Sequence, residues 1–450
     1  MKYVWIILSV FILCSITFSQ ESLADLFEPE EIVEDIDFLL KSLNDIHPTF
    51  NQYLSNPDYQ NNLESIKKTI TQPMSKYDFF KLMQPLISVD GHTSLRFDGE
   101  IYPKKEAPFF PFKILIRNNQ IYVKENLSAN PNIQKGMIIE SINGQQSSTI
   151  INLLSKYIPH DGATTHPEKI AGVFHTFYQL IYGNFSEFNL TIRNGEKREN
   201  VIVNGIKSED FTSETKPPFD FQILDNNAAY FYIEGFRQPD LFMVNIDSIF
   251  TILQEKNIKY LIIDKRSGGG FTNLADSLLS YLTNKSYKQF EKKVVKISSA
   301  NRDYIDENKS NGLISDGYLT IEYGPAIPVK RNQLFNGKTY ILMGWETYSA
   351  ATYFVSAIKC NQIATLIGGE AGQPLISNGD IQGINLPNTK MICYSSMSTY
   401  YFPCAENRDE SVKPDYEVKL SLEDLLNDTD RYLEHAIKLI DRDRVANKTE

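Results

Sequence analysis

The chain has 450 residues, which corresponds to two to four domains of ordinary size. Hydrophobic residues make up 42% of it and charged residues 22%, a globular composition that excludes a disordered or collagen-like protein. With a net charge of −11, the protein lacks the basic surface expected of a nucleic-acid binder, so we expect no nucleic-acid partner.

The first residues resemble a targeting segment. Lys2 supplies a positive charge, residues 4–16 are apolar, and Thr17 and Ser19 place small residues before a cleavage site. A transmembrane anchor is the alternative, but the apolar run is shorter than the ~20 residues that a span needs. Cys14 raises the possibility of a lipoprotein, but the residue before it is Leu13, where a small residue is expected. We therefore predict a signal peptide over 1–19 and an exported chain, periplasmic or secreted, without a membrane anchor in its mature form.

The cysteines and histidines do not suggest a metal site or a disulfide framework. Outside the signal segment the cysteines are Cys360, Cys393 and Cys404, an odd number that favours buried thiols. The alternative is that Cys393 and Cys404 face each other across a hairpin. The six histidines lack metal-ligand spacing, so we expect neither a metal nor another cofactor. His47 precedes a proline and is predicted to end a helix rather than to form a site.

The first half of the chain divides into a helical part and a β-rich part. Apolar residues at a helical period predict a helix over 28–43, and Ser75 is the predicted N-cap of a second one. Asp90-Gly91 predicts a turn, followed by a short strand at 94–97. From 107 onward, strands joined by turns predict a β-rich domain of about 100 residues, at 112–116, 120–124, 136–144, 188–192 and 199–203.

The second half alternates strands and helices. Strands are predicted at 229–233, 260–264, 339–343 and 364–367, with helices at 240–255, 273–282 and 350–359 between them. Near-continuous apolar strands are typical of a buried parallel sheet. This part is therefore predicted to be a βαβ series, closed by a final helix over 429–440.

Two junctions between a strand and a helix are candidate sites. Gly268, Gly269 and Gly270 open one helix, where free N–H groups could approach a ligand, although a tight turn would need glycine too. No dinucleotide or phosphate-loop motif is present there. Ser349 stands before the other helix, where an oxyanion would be stabilised. The pattern alone favours a simple N-cap for Ser349.

The order of these segments resembles the tricorn-like branch of the C-terminal-processing, or tail-specific, serine peptidases. The resemblance rests on Asp90-Gly91-His92-Thr93, the PDZ-like stretch 135–144, the strand and glycine loop 261–270, Tyr348-Ser349-Ala350-Ala351, and Glu406-Asn407 followed by Pro414-Asp415. It implies an α/β multidomain fold with a helical subdomain over 20–106, a PDZ-like domain over 107–206 and a ClpP/crotonase-like peptidase core over 207–450.

The resemblance also implies the catalytic residues. Relatives with a Ser–Lys dyad carry the lysine about 25 residues after the serine, but no lysine occurs here between Lys359 and Lys390. The tricorn-like arrangement pairs the serine with a histidine and a late glutamate, which correspond to Ser349, His92 and Glu406, with Glu370 as the alternative glutamate. The backbone amides of Ala350 and of one glycine in 268–270, preferably Gly269, would form the oxyanion hole.

The function implied is that of a serine peptidase acting on peptides or unfolded proteins through a covalent acyl-enzyme. Without the resemblance, His92 could be a turn residue and Glu406 part of a solvated loop. Two alternatives to an enzyme stay open: a binding protein for apolar ligands on the same scaffold, and a chaperone-like peptide binder that uses only the PDZ-like groove. The sequence does not determine the oligomeric state.

Overall fold

The computed structural model describes residues 26–97, 108–161, 166–211, 216–224, 227–407 and 410–449. The predicted signal peptide and Cys14 lie outside these residues. No helix in the described part of the chain is long and apolar enough to cross a membrane.

The helices of the described residues are α1 (Pro29–Ile46), α2 (Asn51–Leu54), α3 (Pro57–Thr69), α4 (Lys76–Ile87), α5 (Ser147–Leu154), α6 (His166–Tyr182), α7 (Pro239–Glu255), α8 (Thr272–Leu282), α9 (Arg302–Asn308), α10 (Ala350–Cys360), α11 (Leu422–Leu426) and α12 (Arg431–Thr449).

The strands are β1 (Leu26–Phe27), β2 (Met74–Ser75), β3 (Ser94–Arg96), β4 (Phe112–Arg117), β5 (Gln120–Asn126), β6 (Ile138–Ile142), β7 (Gln145–Gln146), β8 (Glu187–Asn194), β9 (Lys197–Asn204), β10 (Phe219–Leu224), β11 (Ala228–Ile233), β12 (Tyr260–Asp264), β13 (Tyr287–Lys288), β14 (Lys292–Lys296), β15 (Leu313–Ser315), β16 (Tyr318–Glu322), β17 (Pro325–Ala326), β18 (Lys338–Met343), β19 (Thr365–Gly368), β20 (Ile376–Asn385), β21 (Ile392–Tyr401) and β22 (Tyr416–Glu417).

The core sheet has the strand order β10-β11-β12-β18-β19-β22, and all of its pairs except β10–β11 are parallel. Every residue of the central strand β12 is buried, because helices cover both faces of a parallel sheet. The α/β multidomain fold predicted from the apolar strands is confirmed. The glycine loop follows β12 and Ser349 follows the adjacent strand β18, so both junctions lie at the same edge of the sheet.

A second sheet carries His92 to this core. Its order is β15-β16-β14-β21-β20, and β3 adds to it by pairing antiparallel with β21. Because β3 begins at Ser94, two residues after His92, this pairing fixes the end of the helical region against the core. The long strands β20 and β21 were not predicted, since their small polar residues show no clear alternation.

The helical region and the β-rich region share one apolar cluster. Helix α1 buries Ile32, Ile36 and Leu43 along one face, and Ser75 caps α4 by accepting the Asp78 N–H at 3.3 Å, as its sequence predicts. The third sheet has the order β4-β5-β6-β8-β9 and packs against α5 and α6. This sheet corresponds to the stretch that resembles a PDZ-like domain.

The expectation of three buried thiols is wrong. Cys360 and Cys404 form a disulfide with Cα atoms 5.9 Å apart, and only Cys393 is a free, buried thiol. Cys393 lies within β21, whereas Cys404 follows the end of the same strand, so the two cannot face each other across a hairpin. Cys404 instead meets Cys360 at the C-terminal end of α10.

Candidate active site

The turn that carries His92 is held by a buried carboxylate. Asp90 Oδ1 accepts the backbone N–H groups of His92 at 2.9 Å and Thr93 at 2.7 Å. Its Oδ2 lies 2.9 Å from Nε2 of His47, which is fully buried. Because the Thr49 N–H donates to His47 Nδ1, the ring proton is on Nε2 and is donated to Asp90. Burial is the largest influence and raises the pKa of Asp90, but hydrogen bonding to His47 and Thr93 and the nearby histidine charge together outweigh it and hold the pKa below its usual range.

Ser349 has a strained backbone. It joins the buried strand β18 to helix α10 with φ 55° and ψ −124°, a conformation that glycine adopts and other residues rarely do. Ser349 does occupy the N-cap position, but its side chain makes no capping hydrogen bond. Strain of this kind costs roughly 1–3 kcal/mol and is concentrated at functional sites. The N-cap explanation therefore does not account for this serine.

The glycine loop packs directly against Ser349. A Cβ atom added to Gly269 would lie 2.8 Å from the Cβ of Ser349 and 3.0 Å from the carbonyl oxygen of Tyr348. The loop is fixed from the other side, where the Phe236 N–H donates to the Gly269 carbonyl at 2.8 Å. The N–H groups of Gly269 and Ala350 donate to no other described residue.

One cavity of about 580 Å³ brings most of the predicted residues together. His92, Gly269, Ser349 and Ala350 all line it. The remaining wall includes six aromatic side chains, among them Phe271, Phe290, Tyr353 and Phe402, and polar groups that include Gln373 and Asp380.

His92 and Ser349 share this cavity without a hydrogen bond between them in the described structure. Nδ1 of His92 is buried and has no hydrogen-bond partner among the described residues. The His92 ring stacks at an angle on Tyr348, with ring centroids 5.3 Å apart. Hydrogen bonds of catalytic residues are often long before substrate binds, so this separation is compatible with proton transfer in a complex.

The structure does not bring Glu406 or Glu370 into the cavity. Glu406 is exposed and follows the disulfide of Cys404 with Cys360, which lies at the end of α10 opposite Ser349, ~16 Å away along an 11-residue helix. Glu370 is half-buried. Neither carboxylate lines the cavity, and among the described residues neither makes a hydrogen bond to His92.

Two aspartates, the buried Asp90 and the half-buried Asp161, interact with His92 instead. Asp90 and Asp161 both lie close enough to His92 for a favourable charge interaction. Asp161 accepts a hydrogen bond from the hydroxyl of Tyr348, the residue before the nucleophile candidate. Burial raises the pKa of Asp161, and the charge of Asp90 raises it further. Asp90 appeared in the sequence only as a turn residue, and Asp161 gave no signal.

A glutamine lies at about the sequence spacing from Ser349 at which Ser–Lys relatives carry their lysine. Gln373 follows Ser349 by 24 residues and is buried. Its Oε1 accepts the backbone N–H of Ser349 at 2.6 Å. The sequence showed the absence of the lysine but nothing about the glutamine.

Comparison with known proteins adds to this geometry. The model of peptidase family S41 matches residues 227–418, which contain the parallel strands of the core sheet, the glycine loop and Ser349. This part of the chain resembles peptidase family S41. The match supports a serine-type peptidase with peptides as its class of substrate. Among curated proteins, no match was found.

Solved structures of CPAF share the fold of this chain. Mature CPAF superposes with a TM-score of 0.66 at 14% identity, covering 91% of this chain and 96% of that chain. CPAF complexed with lactacystin gives a TM-score of 0.65 at 14% identity, covering 91% and 97%. The photosystem II D1 C-terminal processing protease is 11% identical with a TM-score of 0.46, covering 88% and 96%.

The part of the chain that matches the S41 model contains a buried lysine beneath the glycine loop. Nζ of Lys265 donates to the carbonyl oxygens of Ile233 and Glu234, each at 3.3 Å, and to that of Ser267. The side chain is fully buried. Burial lowers the pKa of Lys265 to about 7, Asp264 and Glu234 oppose that shift, and Arg237 adds to it. The ammonium thus joins the end of β11 to the start of the glycine loop.

The free energy of unfolding should rise with pH above 7 because of Lys265. The unfolded lysine keeps its proton up to ~10.4 while the folded one loses it near 7, so the unfolded state binds more protons in this window. The slope is at most about 1.4 kcal/mol per pH unit. Denaturant unfolding of wild type and Lys265→Met at pH 7, 8 and 9 should show a difference that grows in favour of wild type. Parallel curves would contradict the prediction.

Proposed function

We propose that this protein hydrolyses peptide bonds with Ser349 as nucleophile and His92 as general base. The observation that carries the proposal is the strained backbone of Ser349 at a helix N-terminus, facing a cavity that His92 also lines. A serine hydroxyl is a weak nucleophile at neutral pH and needs an adjacent base, and His92 is the only histidine among the described residues of this cavity wall.

The reaction would proceed in two halves. Ser349 Oγ attacks the peptide carbonyl while His92 accepts its proton, and His92 then donates that proton to the departing amine. This leaves an acyl group on Ser349. Water, deprotonated by His92, then attacks the acyl carbon; the bond to Ser349 Oγ breaks, His92 returns the proton to Oγ, and the second product leaves. The unpartnered, buried Nδ1 of His92 leaves that ring nitrogen available for an orienting group.

Backbone amides would stabilise the negative charge that develops on the peptide carbonyl oxygen. The N–H groups of Gly269 and Ala350 are adjacent to Ser349 and donate to no described residue, so both could bind an oxyanion. Ala350 is the first residue of α10, where the helix dipole adds a favourable potential. The arrangement around Ser349 therefore supports Gly269 as the glycine that contributes to the oxyanion hole.

Gly269→Ala should slow acylation of Ser349 by roughly 10²-fold, the scale of losing one oxyanion donor. The added Cβ would lie 2.8 Å from the Ser349 Cβ and must push the loop away from the nucleophile. Gly324→Ala is the matched control, because a Cβ there meets nothing within 4 Å. The measurement is kcat/KM on a peptide ester. Equal rates for both variants would remove Gly269 from the oxyanion hole.

The resemblance assigns the carboxylate that orients His92 to Glu406, and this assignment is the one proposed, although the structure leaves Glu406 outside the cavity. Glu406→Gln should lower kcat by on the order of 10²-fold, because it removes the charge that stabilises a protonated His92. Glu370→Gln and Asp161→Asn serve as the matched comparisons, since Glu370 is the alternative glutamate and Asp161 interacts with His92 in the structure. Normal kcat in Glu406→Gln together with loss in either of the others would reassign the role.

The remaining features of the proposal concern location and substrate delivery. We propose that residues 1–19 are a signal peptide and that the mature chain is periplasmic or secreted, and the Cys360–Cys404 disulfide supports an oxidising compartment. The sheet β4-β5-β6-β8-β9 would act as a PDZ-like domain that binds an extended peptide by strand addition.

Labelling by a fluorophosphonate tests the proposal as a whole. The probe forms a covalent bond to an activated serine, and we expect it on Ser349 of the wild-type chain, located by peptide mass spectrometry. Wild type lacking the label while retaining a cooperative melting transition would favour one of the two binding functions over catalysis.

A further inference from the structure

Gln373 lies at a point where three parts of the core meet. The N–H of the preceding Gly372 donates to the Thr347 carbonyl at 3.1 Å, in the turn that leads to the nucleophile. On the other side, the Ser411 hydroxyl donates to the Gln373 carbonyl at 2.9 Å. The backbone of Gln373 is therefore fixed from two directions before its side chain is considered.

The side chain of Gln373 reaches the backbone of Ser349 itself. It is 2% exposed, and its carboxamide accepts the Ser349 N–H at 2.6 Å. A backbone N–H can only donate, so the atom facing it must be Oε1, and the orientation of the amide follows from the chemistry. Gln373 also lines the cavity that contains Ser349 and His92.

This contact acts on a backbone that is strained. The peptide plane between Tyr348 and Ser349 must stay rotated to keep φ of Ser349 at 55°, and an unheld plane could relax toward an unstrained conformation. A hydrogen bond to the Ser349 N–H resists that rotation because it would be broken. An error of ~1 Å in the position of a reacting atom can cost ~10²-fold in rate.

We propose that Gln373 is a positioning residue that holds the strained backbone of Ser349 through its Oε1 atom and so aims the nucleophile into the cavity. The inference rests on the proposed role of Ser349 and adds a residue to it. A lysine at 373 would present only donors to the Ser349 N–H and could not serve in this way. The glutamine thus has a function of its own at this place.

The experiment compares four variants with wild type. Gln373→Met keeps the size of the side chain without an acceptor, Gln373→Lys offers a donor, and Gln373→Glu keeps an acceptor oxygen in either protonation state. Gln179→Met is the matched control, a buried glutamine of α6 outside the cavity. Each variant is characterised by its melting temperature, its rate of fluorophosphonate labelling at Ser349, and kcat and KM on a peptide ester.

We expect Gln373→Met and Gln373→Lys to lose ~10²-fold in labelling rate and in kcat with KM within about threefold of wild type. Gln373→Glu should stay within about tenfold, and Gln179→Met should match wild type. A change confined to KM would instead indicate a wall of the substrate site and overturn the inference. So would normal labelling in Gln373→Met, or a Gln373→Glu variant as slow as Gln373→Met.

Two outcomes separate the inference from the proposed function. Labelled wild type with an equally labelled Gln373→Met overturns the inference alone. Unlabelled wild type overturns the role of Ser349 and the inference with it. If Gln373→Met has no melting transition, the comparison of Gln373→Glu with Gln373→Lys decides by the same criteria, because both place a polar side chain of similar length at the site.

Discussion

Replacing Ser349 by alanine is expected to abolish peptide hydrolysis, by roughly 10⁴-fold or more, while leaving the fold intact. The hydroxyl makes no capping hydrogen bond, and Oγ has no other described hydrogen-bond partner, so its removal leaves no buried partner unsatisfied. Alanine also keeps the Cβ atom, so the packing against Gly269 does not change.

The measurement is turnover of a peptide substrate together with the melting temperature of both proteins. Unchanged melting with absent turnover is the expected pair of results. Hydrolysis that persists in purified Ser349→Ala would exclude Ser349 as the nucleophile, and loss of the melting transition would contradict the argument from its unpaired hydroxyl.

His92→Ala should lose activity on a similar scale, whereas Lys390→Ala should retain it. His92 lines the cavity, and its ring makes no described hydrogen bond, so the variant should fold. Lys390 is the first lysine after α10 and is exposed, with its Nζ donating to the Pro387 carbonyl at 2.6 Å. Turnover is measured for both. A near-normal His92→Ala, or an inactive Lys390→Ala, would point to a lysine base.

His47→Ala provides a contrast to His92→Ala, because it removes the partner of a buried charge. Asp90 is 3% exposed and accepts from His47 at 2.9 Å, so the variant would leave a carboxylate buried without its donor. Losing one member of such a pair costs about 3–5 kcal/mol. Loss of activity in His47→Ala therefore reports on stability, whereas loss in folded His92→Ala reports on chemistry.

Much of the core could be predicted because its signal is local. Strand β12 begins and ends where the apolar run Tyr260–Asp264 does, since both faces of a central parallel strand are buried. Strands β20 and β21 lack this signal: Ser377, Asn378, Ser395 and Ser396 are buried by tertiary contacts rather than by their own hydrophobicity. Tertiary context overrides local preference there.

The site residues also divide into those with a local sequence signal and those that depend on tertiary contacts. Ser349 and the glycine loop were found because they stand at junctions between predictable elements. The residues that support the site were not predicted, because each acts across a long stretch of chain. His47 contacts Asp90, in the turn of His92, over 43 residues, and Gln373 contacts Ser349 over 24. The disulfide of Cys360 with Cys404 was missed for the same reason, since sequence spacing does not determine pairing.

The backbone of Ser349 sets stability and activity against each other. Glycine adopts φ 55° and ψ −124° without a Cβ penalty, so it would relieve the strain that serine maintains at this position. Glycine would also remove the hydroxyl. Selection of variants for thermal stability alone would therefore favour glycine at position 349. The most stable variants would then lack the nucleophilic oxygen.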